Sequence, residues 1–129
     1  MEEISVNTNS RIEMLDITSQ LRSAISNSGI QEGVCTVYCP HTTAAITINE
    51  NADPDVTADM LRKLSNMVPA YENYQHSEGN SDAHIKSTLV GNSAQIIILN
   101  GTLLLGTWQG IYFCEFDGPR TRTVWVSIT

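Results

Sequence analysis

The last third of the sequence reads as consecutive short strands separated by tight turns, and this pattern restricts the possible folds more than any other feature. The predicted strands are residues 95–99, 103–105, 109–116 and 122–128. Asn100 and Gly101 predict a two-residue hairpin turn between the first two strands. Turns this short join antiparallel neighbours, because a parallel crossover needs a dozen or more residues. This region therefore predicts a largely antiparallel sheet.

Two helices are predicted from the residues that begin and end them. Asp16 can cap a helix whose apolar residues recur four and seven positions apart, and Gly29 ends it. Asp53 is followed by Pro54, so it can cap a second helix that has proline at its first position. This helix is expected to continue until Pro69. The first helix is expected to cover a face of the sheet.

A shorter third helix is predicted to begin at Asn80 or Ser81 and to end at Gly91. Its Ile85 and Leu89 are expected to face inward. Further strands are expected in residues 3–7, 34–38 and 41–49. A chain of 129 residues is long enough for one domain, so we expect residues 1–129 to form a single domain. The predicted class is α+β: a largely antiparallel sheet, barrel-like or sandwich, with about three helices.

Charge and cysteine content limit the partners and the compartment. Fourteen acidic residues against seven basic ones give a formal charge of -7, so we expect no nucleic-acid partner. The longest aliphatic run, residues 96–99, is far shorter than the roughly 18 residues of a membrane span, and no membrane contact is expected. Cys35 and Cys39 lie too far apart on one strand to form a disulfide. The N-terminus has acids where a signal peptide needs bases, so we predict a cytoplasmic protein.

The three histidines, His41, His76 and His84, all lie in the most polar part of the chain. Three neutral imidazoles with one open position form a typical site for a divalent transition metal, and zinc is its commonest occupant. Their spacing is not a motif in itself, and ordinary hydrogen bonding is the alternative interpretation. The candidate fourth ligands or supporting groups are Glu78, Asp82 and Cys39.

A row of polar residues is predicted on one face of the strand that begins at His41. This row contains His41, Thr43, Ala45, Thr47 and Asn49. Alternate residues of a strand share a face, so the row can line a cleft if the strand is regular from its first residue. The predicted helix beginning after Asp53 would place its N-terminus, a favourable position for an anion, at the end of this row.

Two arginines near the C-terminus are candidates for anion binding. Residues 117–119 predict a tight turn, and Arg120 and Arg122 follow it on one face of the last strand. Such a pair suits a phosphate or a carboxylate. The alternative is that charges on an edge strand only prevent sheets from aggregating. Trp108 is either the wall of a pocket or a core residue.

Several sequence blocks, in the same order, resemble one family over essentially the whole chain. The blocks are Pro40-His41-Thr42-Thr43-Ala44-Ala45, Ile48-Asn49-Glu50-Asn51, Gly79-Asn80 with Ala83-His84, and Gly106-Thr107-Trp108-Gln109 with Glu115-Phe116-Asp117-Gly118-Pro119-Arg120. They closely resemble the YjbQ family, also called UPF0047 or secondary thiamine-phosphate synthase enzymes. This resemblance implies a YjbQ-like α+β subunit that assembles as a homotrimer, with the polar blocks gathered in one site.

The resemblance also implies roles for individual residues. His41, His76 and His84 match its metal or catalytic histidines. Catalytic roles are implied for His41, Glu50 and Asp117. The residues implied to contact the substrate are Thr43, Asn49, Asn80, Trp108, Gln109 and Arg120.

The activity that the resemblance implies is thiamine-phosphate synthesis, in which a pyrimidine diphosphate joins a thiazole phosphate and pyrophosphate leaves. Departure of pyrophosphate requires positive charge, which a divalent metal, zinc or magnesium, and Arg120 can supply. Trp108 is a candidate wall for the pyrimidine. Two alternatives remain open: a trimeric metal or small-ligand binding protein without turnover, and a hydrolase that uses metal-bound hydroxide.

Overall fold

The computed structural model describes residues 1–129 and contains eight strands and three helices. In chain order they are β1 (Glu2–Asn7), β2 (Glu13–Asp16), α1 (Thr18–Ser28), β3 (Gly33–Tyr38), β4 (Ala44–Glu50), α2 (Pro54–Met67), α3 (Ser81–Val90), β5 (Ser93–Leu99), β6 (Thr102–Leu103), β7 (Gln109–Glu115) and β8 (Thr121–Ile128). Every strand pairing is antiparallel, as predicted. None of the helices is long and apolar enough to cross a membrane.

The strands form two curled sheets that enclose one main core as a half-barrel. The larger sheet has the order β1-β8-β3-β5-β6, and the smaller one has the order β2-β7-β4. Side chains from the inner faces of both sheets and from α1 make up the main core. The predicted α+β class with a largely antiparallel sheet and three helices is confirmed.

Strand β7 is buried on both faces and connects the two cores of the molecule. Its Ile111 and Phe113 belong to the main core. Its Tyr112 and Cys114 point the other way, into a second cluster with Ala83 of α3. Alternate residues of a strand face opposite sides, so one strand supplies both clusters. Helices α2 and α3 accordingly lie against the outer face of the smaller sheet.

Gly29 and Asp53 lie at the helix ends as predicted, whereas the N-cap of α1 is Ile17, which makes no side-chain cap hydrogen bond, and Asp16 precedes it. Asp16 Oδ1 accepts a hydrogen bond from the Thr18 amide at 2.9 Å, and Gly29 ends α1 in the left-handed conformation with φ 72°. Asp53 caps α2 by accepting a hydrogen bond from the Asp55 amide at 2.9 Å. Helix ends of this kind can be predicted from sequence, because the interactions that form them join residues only a few positions apart.

The prediction that α3 turns Ile85 and Leu89 inward is wrong. Ile85 is 40% exposed and Leu89 is 58% exposed, whereas Asp82 and Lys86 face the interior. The two charged residues tolerate burial because they pair with each other, with Lys86 Nζ 3.1 Å from Asp82 Oδ2. Because of this pairing, the buried face of α3 carries Asp82 and Lys86 and not the apolar residues that hydrophobicity predicted.

The strand predicted from His41 begins later, at Ala44. Residues 40–43 form a loop, so His41 and Thr43 do not belong to a regular polar face. Ala45 is fully buried against the second cluster, because α3 covers that side of the sheet.

The four-residue strand β2 was too short to be predicted from its sequence pattern. By contrast, Asn100 and Gly101 both have positive φ, as the predicted hairpin turn requires.

Candidate functional site

A polar cleft of about 380 Å³ lies where the 40–43 loop, the start of α3 and the turn after β7 meet. Its lining residues are Pro40, His41, Thr42, Thr43, Glu78, Asn80, His84, Asp117, Arg120 and Arg122. A second cleft of about 490 Å³ shares His41, Thr42 and His84 with it and continues along α3 past Ser87. The structure thus brings together six predicted site residues, namely His41, Thr43, Asn80, His84, Asp117 and Arg120.

His41 holds the 40–43 loop against strand β8. Its Nε2 accepts a hydrogen bond from the Thr123 amide at 2.9 Å and lies 3.2 Å from the Thr123 carbonyl oxygen. The pairing of β8 with β3 ends at Trp125, and Thr123 is the residue two positions before Trp125 in the chain. The imidazole therefore bonds to Thr123 where a further residue of β3 would bond if that strand continued. With Nε2 accepting, Nδ1 carries the proton and is the ring nitrogen left for a ligand.

The pKa of His41 is lowered. Burial disfavours the charged ring, and the nearby Arg122 guanidinium adds repulsion. Together these effects outweigh the hydrogen bonding to Thr123. His41 is therefore a neutral hydrogen-bonding group at neutral pH, not a cation.

His76 and His84 form a pair of their own at the edge of the cleft. Their ring centroids are 5.4 Å apart and the rings are nearly perpendicular. His76 Nε2 lies 3.8 Å from a carboxylate oxygen of Glu78. No group of three His, Cys, Asp or Glu side chains is arranged to hold a metal. Within one chain, therefore, the three histidines are not arranged to hold a metal together.

The other candidate metal ligands have different surroundings. Asp82 is enclosed by Arg11 and Lys86, which use both of its carboxylate oxygens. The Cys39 thiol is buried, its Sγ lies 3.9 Å from the His41 carbonyl oxygen, and burial raises its pKa. A metal prefers a thiolate, so this raised pKa disfavours Cys39 as a ligand.

Asp117 connects two of the predicted substrate-binding residues. Its Oδ2 accepts a hydrogen bond from Asn80 Nδ2 at 2.8 Å and lies 3.2 Å from Arg120 Nη2. Its backbone carbonyl accepts a second hydrogen bond from Arg120 Nε at 3.0 Å. Asp117 therefore fixes the orientation of Arg120 at the rim of the cleft.

Arg122 and Glu115 form a buried ion pair beneath the cleft. Arg122 Nε donates to Glu115 Oε1 at 2.9 Å, and Nη2 bonds to Glu115 Oε2 and, at 2.9 Å, to Thr43 Oγ1. Glu115 also accepts hydrogen bonds from Thr8 Oγ1 at 2.8 Å and from the Asp117 amide at 3.0 Å. The edge-strand interpretation of Arg122 is wrong, since β8 lies between β1 and β3.

The pKa of Glu115 reflects this environment. Burial acts to raise it, but hydrogen bonds from Arg122, the Asp117 amide and Thr8 outweigh burial, and the pKa is lowered. Glu115 is therefore a carboxylate at neutral pH. It was absent from the sequence-based candidates because a glutamate inside a buried strand carries no pattern that distinguishes it.

A second buried ion cluster supports the start of α3. Arg11 donates to both oxygens of Asp82, at 3.0 and 3.3 Å, while Lys86 contacts Asp82 from the next turn. Burial acts to raise the pKa of Asp82, but the hydrogen bonds from Arg11 and Lys86 dominate, and the pKa is lowered. The four-residue spacing of Asp82 and Lys86 was the one available sequence signal for this pair.

The polar cleft has balanced charges in an acidic protein. Two of the seven basic residues, Arg120 and Arg122, line it together with two acidic residues, Glu78 and Asp117. The lining therefore has no formal net charge, whereas the whole chain has a formal charge of -7. An anionic ligand meets less repulsion here than over the rest of the surface.

The remaining predicted site residues lie at the other end of the β4–β7 pair. Asn49 is paired with Gly110 and Glu50 with Gln109, whereas Ala44 is paired with Glu115. Seven strand residues separate the two ends by about 20 Å. None of Asn49, Glu50, Trp108 and Gln109 lines the polar cleft. Trp108 is 61% exposed, so the core interpretation of this residue is wrong.

Comparisons with known proteins agree with the resemblance of the sequence blocks. The family model described as UPF0047 protein YjbQ-like matches residues 2–129. The chain belongs to the UPF0047 family. It is 53% identical to the UPF0047 protein YugU of Bacillus subtilis over 99% of this chain and 98% of that protein. It is 58% identical to a UPF0047 protein of Methanocaldococcus jannaschii over 95% of this chain and 89% of that one.

Solved structures of UPF0047 proteins have the same fold. A Clostridium acetobutylicum protein of the family superposes with a TM-score of 0.98, at 56% identity and with all of both chains covered. A Sulfolobus solfataricus protein gives 0.94 at 34% identity, covering 98% of this chain and 94% of that one. The second structure is described as a YbjQ-like protein of unknown function, so its fold does not identify an activity.

Proposed function

We propose that the polar cleft binds small phosphorylated metabolites and that the protein is an enzyme acting on them. The observation that carries this proposal is that Arg120 and Arg122 line one polar cleft whose lining has no formal net charge, in a chain of formal charge -7. The reaction we favour is thiamine-phosphate formation, in which the thiazole nitrogen displaces pyrophosphate from the pyrimidine methylene carbon.

The residues of the cleft support individual steps of this reaction. Arg120, oriented by Asp117, is suited to contact a phosphate through a charge-assisted hydrogen bond. His41 is neutral and can donate from Nδ1 to a leaving oxygen. Asn80 donates from Nδ2 to Asp117 and so supports the carboxylate that orients Arg120. We assign no step to a metal, because the histidines of one chain are not arranged to bind one together.

The test is turnover of the pyrimidine diphosphate and thiazole phosphate pair, with binding of thiazole phosphate measured by calorimetry. Arg120→Ala is expected to weaken binding by about 2 kcal/mol, a factor of roughly 30, because it removes a charge-assisted contact. Arg120→Lys is expected to recover only part of the affinity, since lysine lacks the planar fork. Arg62→Ala, which removes an exposed arginine of α2, is the control. Failure of the wild type to bind thiazole phosphate would contradict the proposal.

A second candidate function is a metal or small-ligand binding protein without turnover. The pairing of His76 with His84, next to Glu78, is the observation that favours it. Zinc titration of the wild type and of His76→Ala tests this function. Tight, stoichiometric zinc binding that His76→Ala abolishes, combined with absent turnover, would favour it over the enzyme.

We further propose that the protein assembles as a homotrimer. The exposed Ile85 and Leu89 give α3 an apolar outer face, and no residue of the neighbouring α2 is fully buried. A shared site containing Trp108 and Glu50 as well as the cleft residues requires such a second subunit. Sedimentation should give about three times the chain mass of 14.2 kDa. A monomer at micromolar concentration would contradict the trimer.

We also propose that residues 1–129 act as one domain in the cytoplasm. Both sheets contribute to the same main core, which favours one cooperative unit. Cys35, Cys39 and Cys114 are buried and unpaired, as expected in a reducing compartment. A single calorimetric unfolding transition and recovery of the protein in the cytoplasmic fraction are the expected results.

A further inference from the structure

Arg122 is a fixed donor at the floor of the cleft. Its side chain is only 3% exposed, and Nε and Nη2 are held by Glu115 and Thr43. Nη1 is the guanidinium nitrogen that makes no hydrogen bond within the chain, and Arg122 forms part of the cleft lining. A buried guanidinium held on one edge has its remaining donor preorganised for an acceptor in the cleft.

Arg120 differs from Arg122 in both position and support. It is 51% exposed and is held by Asp117 alone. It therefore lies at the rim of the same cleft that Arg122 lines from below. Two residues of extended chain separate their Cα atoms by about 7 Å, a spacing suited to two neighbouring anionic groups.

We propose that the cleft contains two anion positions, with Arg122 Nη1 binding one group at the floor and Arg120 binding a second at the rim. The ligand class is a small molecule with two adjacent phosphoryl groups, of which pyrophosphate is the simplest. This inference rests on the proposed function and assigns to Arg122 and Arg120 the two phosphoryl groups of its diphosphate substrate.

Glu115 does not obstruct the floor position. Its side chain is fully buried, and its two carboxylate oxygens accept hydrogen bonds from Arg122, Thr8 and the Asp117 amide. The Arg122 guanidinium balances the charge of this carboxylate, and Glu115 does not line the cleft. The floor therefore offers a directed donor without an exposed carboxylate beside it.

Calorimetric titration with inorganic phosphate and with inorganic pyrophosphate, in the presence of EDTA, tests the proposal. The wild type is expected to bind pyrophosphate at least about tenfold more tightly than phosphate, since only pyrophosphate reaches both arginines. Arg122→Lys keeps the partner of Glu115 but loses the planar fork, so it is expected to weaken pyrophosphate binding about tenfold. Arg62→Gln is the matched control and should leave both affinities unchanged.

A crystal structure of the wild type with pyrophosphate gives a result that does not depend on the folding of a variant. A phosphate oxygen within hydrogen-bond distance of Arg122 Nη1 would support the floor position, and pyrophosphate contacting Arg120 alone would overturn it. Equal affinities for the two anions, with thiazole phosphate still bound, would refute the two-position proposal and leave the proposed function standing. If no phosphorylated ligand binds, both proposals fail.

Discussion

The two ends of the β4–β7 pair contain similar residue types in very different surroundings. At the Ala44 end, Glu115 is fully buried and bonded to Thr8 just after β1, to Arg122 of β8 and to the turn after β7. At the Glu50 end, Trp108 and Asn49 are exposed, and the Gln109 side chain bonds only to the nearby Gly106 amide. The comparison shows that burial and mutual pairing of polar groups, and not their identity alone, distinguish the cleft from an ordinary polar surface.

The largest expected effect is that of Glu115→Ala. It leaves Arg122 charged, buried and without its carboxylate, which typically costs about 3–5 kcal/mol of stability. Glu50→Ala, at the opposite end, is the control and should change the free energy of unfolding by less than about 0.5 kcal/mol. Urea unfolding of both variants measures the difference. Equal losses from the two substitutions would show that the ends do not differ as described.

Gly118→Ala is expected to have the next largest effect. A Cβ at this position would lie 2.5 Å from the Ser10 carbonyl oxygen and 2.8 Å from Glu115 Cγ. The nearest atom belongs to the backbone, so relief requires movement of the buried network, at a cost of about 2–3 kcal/mol. Gly110→Ala meets only the exposed Asn51 side chain and should cost less. A chemical denaturation series that ranked Gly110→Ala above Gly118→Ala would contradict this ordering.

The sequence was most informative where local chemistry decides the structure. Asp53 and Gly29 could be recognised as helix-end residues because their effects act within a few residues. The face of α3 could not be predicted, because Asp82 is buried by a partner, Arg11, that is 71 residues away in sequence. A hydrophobicity pattern cannot indicate that a charged residue is buried when its partner is distant in sequence.

The candidate site shows the same division. His41, Asn80 and Arg120 were identified from their residue types and sequence blocks, and they do line one cleft. Glu115 and Arg11 were not identified, because their importance comes from burial and pairing between distant segments. Trp108 was grouped with the cleft by resemblance, but only the fold shows that it lies about 20 Å away in the same chain.

The pH dependence of stability separates the buried carboxylates from exposed ones. The pKa values of Asp82 and Glu115 are lowered by their partners despite burial, so each stabilises the fold fully above its unfolded pKa of about 4. This stabilisation is lost as the pH falls through the lowered pKa values. Asp82→Asn should therefore flatten the decline in unfolding free energy below about pH 4. An unchanged pH profile, measured by urea unfolding at several pH values, would contradict this assignment.

The smallest expected effect belongs to Trp108→Ala. If the site lies within one chain, thiazole phosphate affinity should change by less than about twofold, because Trp108 does not line the cleft. Arg120→Ala provides the comparison, with its loss of roughly 30-fold. A tenfold loss from Trp108→Ala would instead show that the Trp108 end of the β4–β7 pair in a second subunit reaches the cleft. Calorimetry on the two variants distinguishes these outcomes.

The shared position of Glu115 also bears on how such a site can change over evolutionary time. One carboxylate joins the residue that follows β1, strand β8 and the turn that carries Asp117, so its replacement disturbs the fold and the cleft together. A lineage that altered Arg122 first would have to survive with an unpaired buried acid before a compensating change arose. The two residues are therefore expected to be inherited or replaced as a unit, whereas a change at the half-exposed Arg120 alters ligand binding without leaving a fully buried charge unpaired.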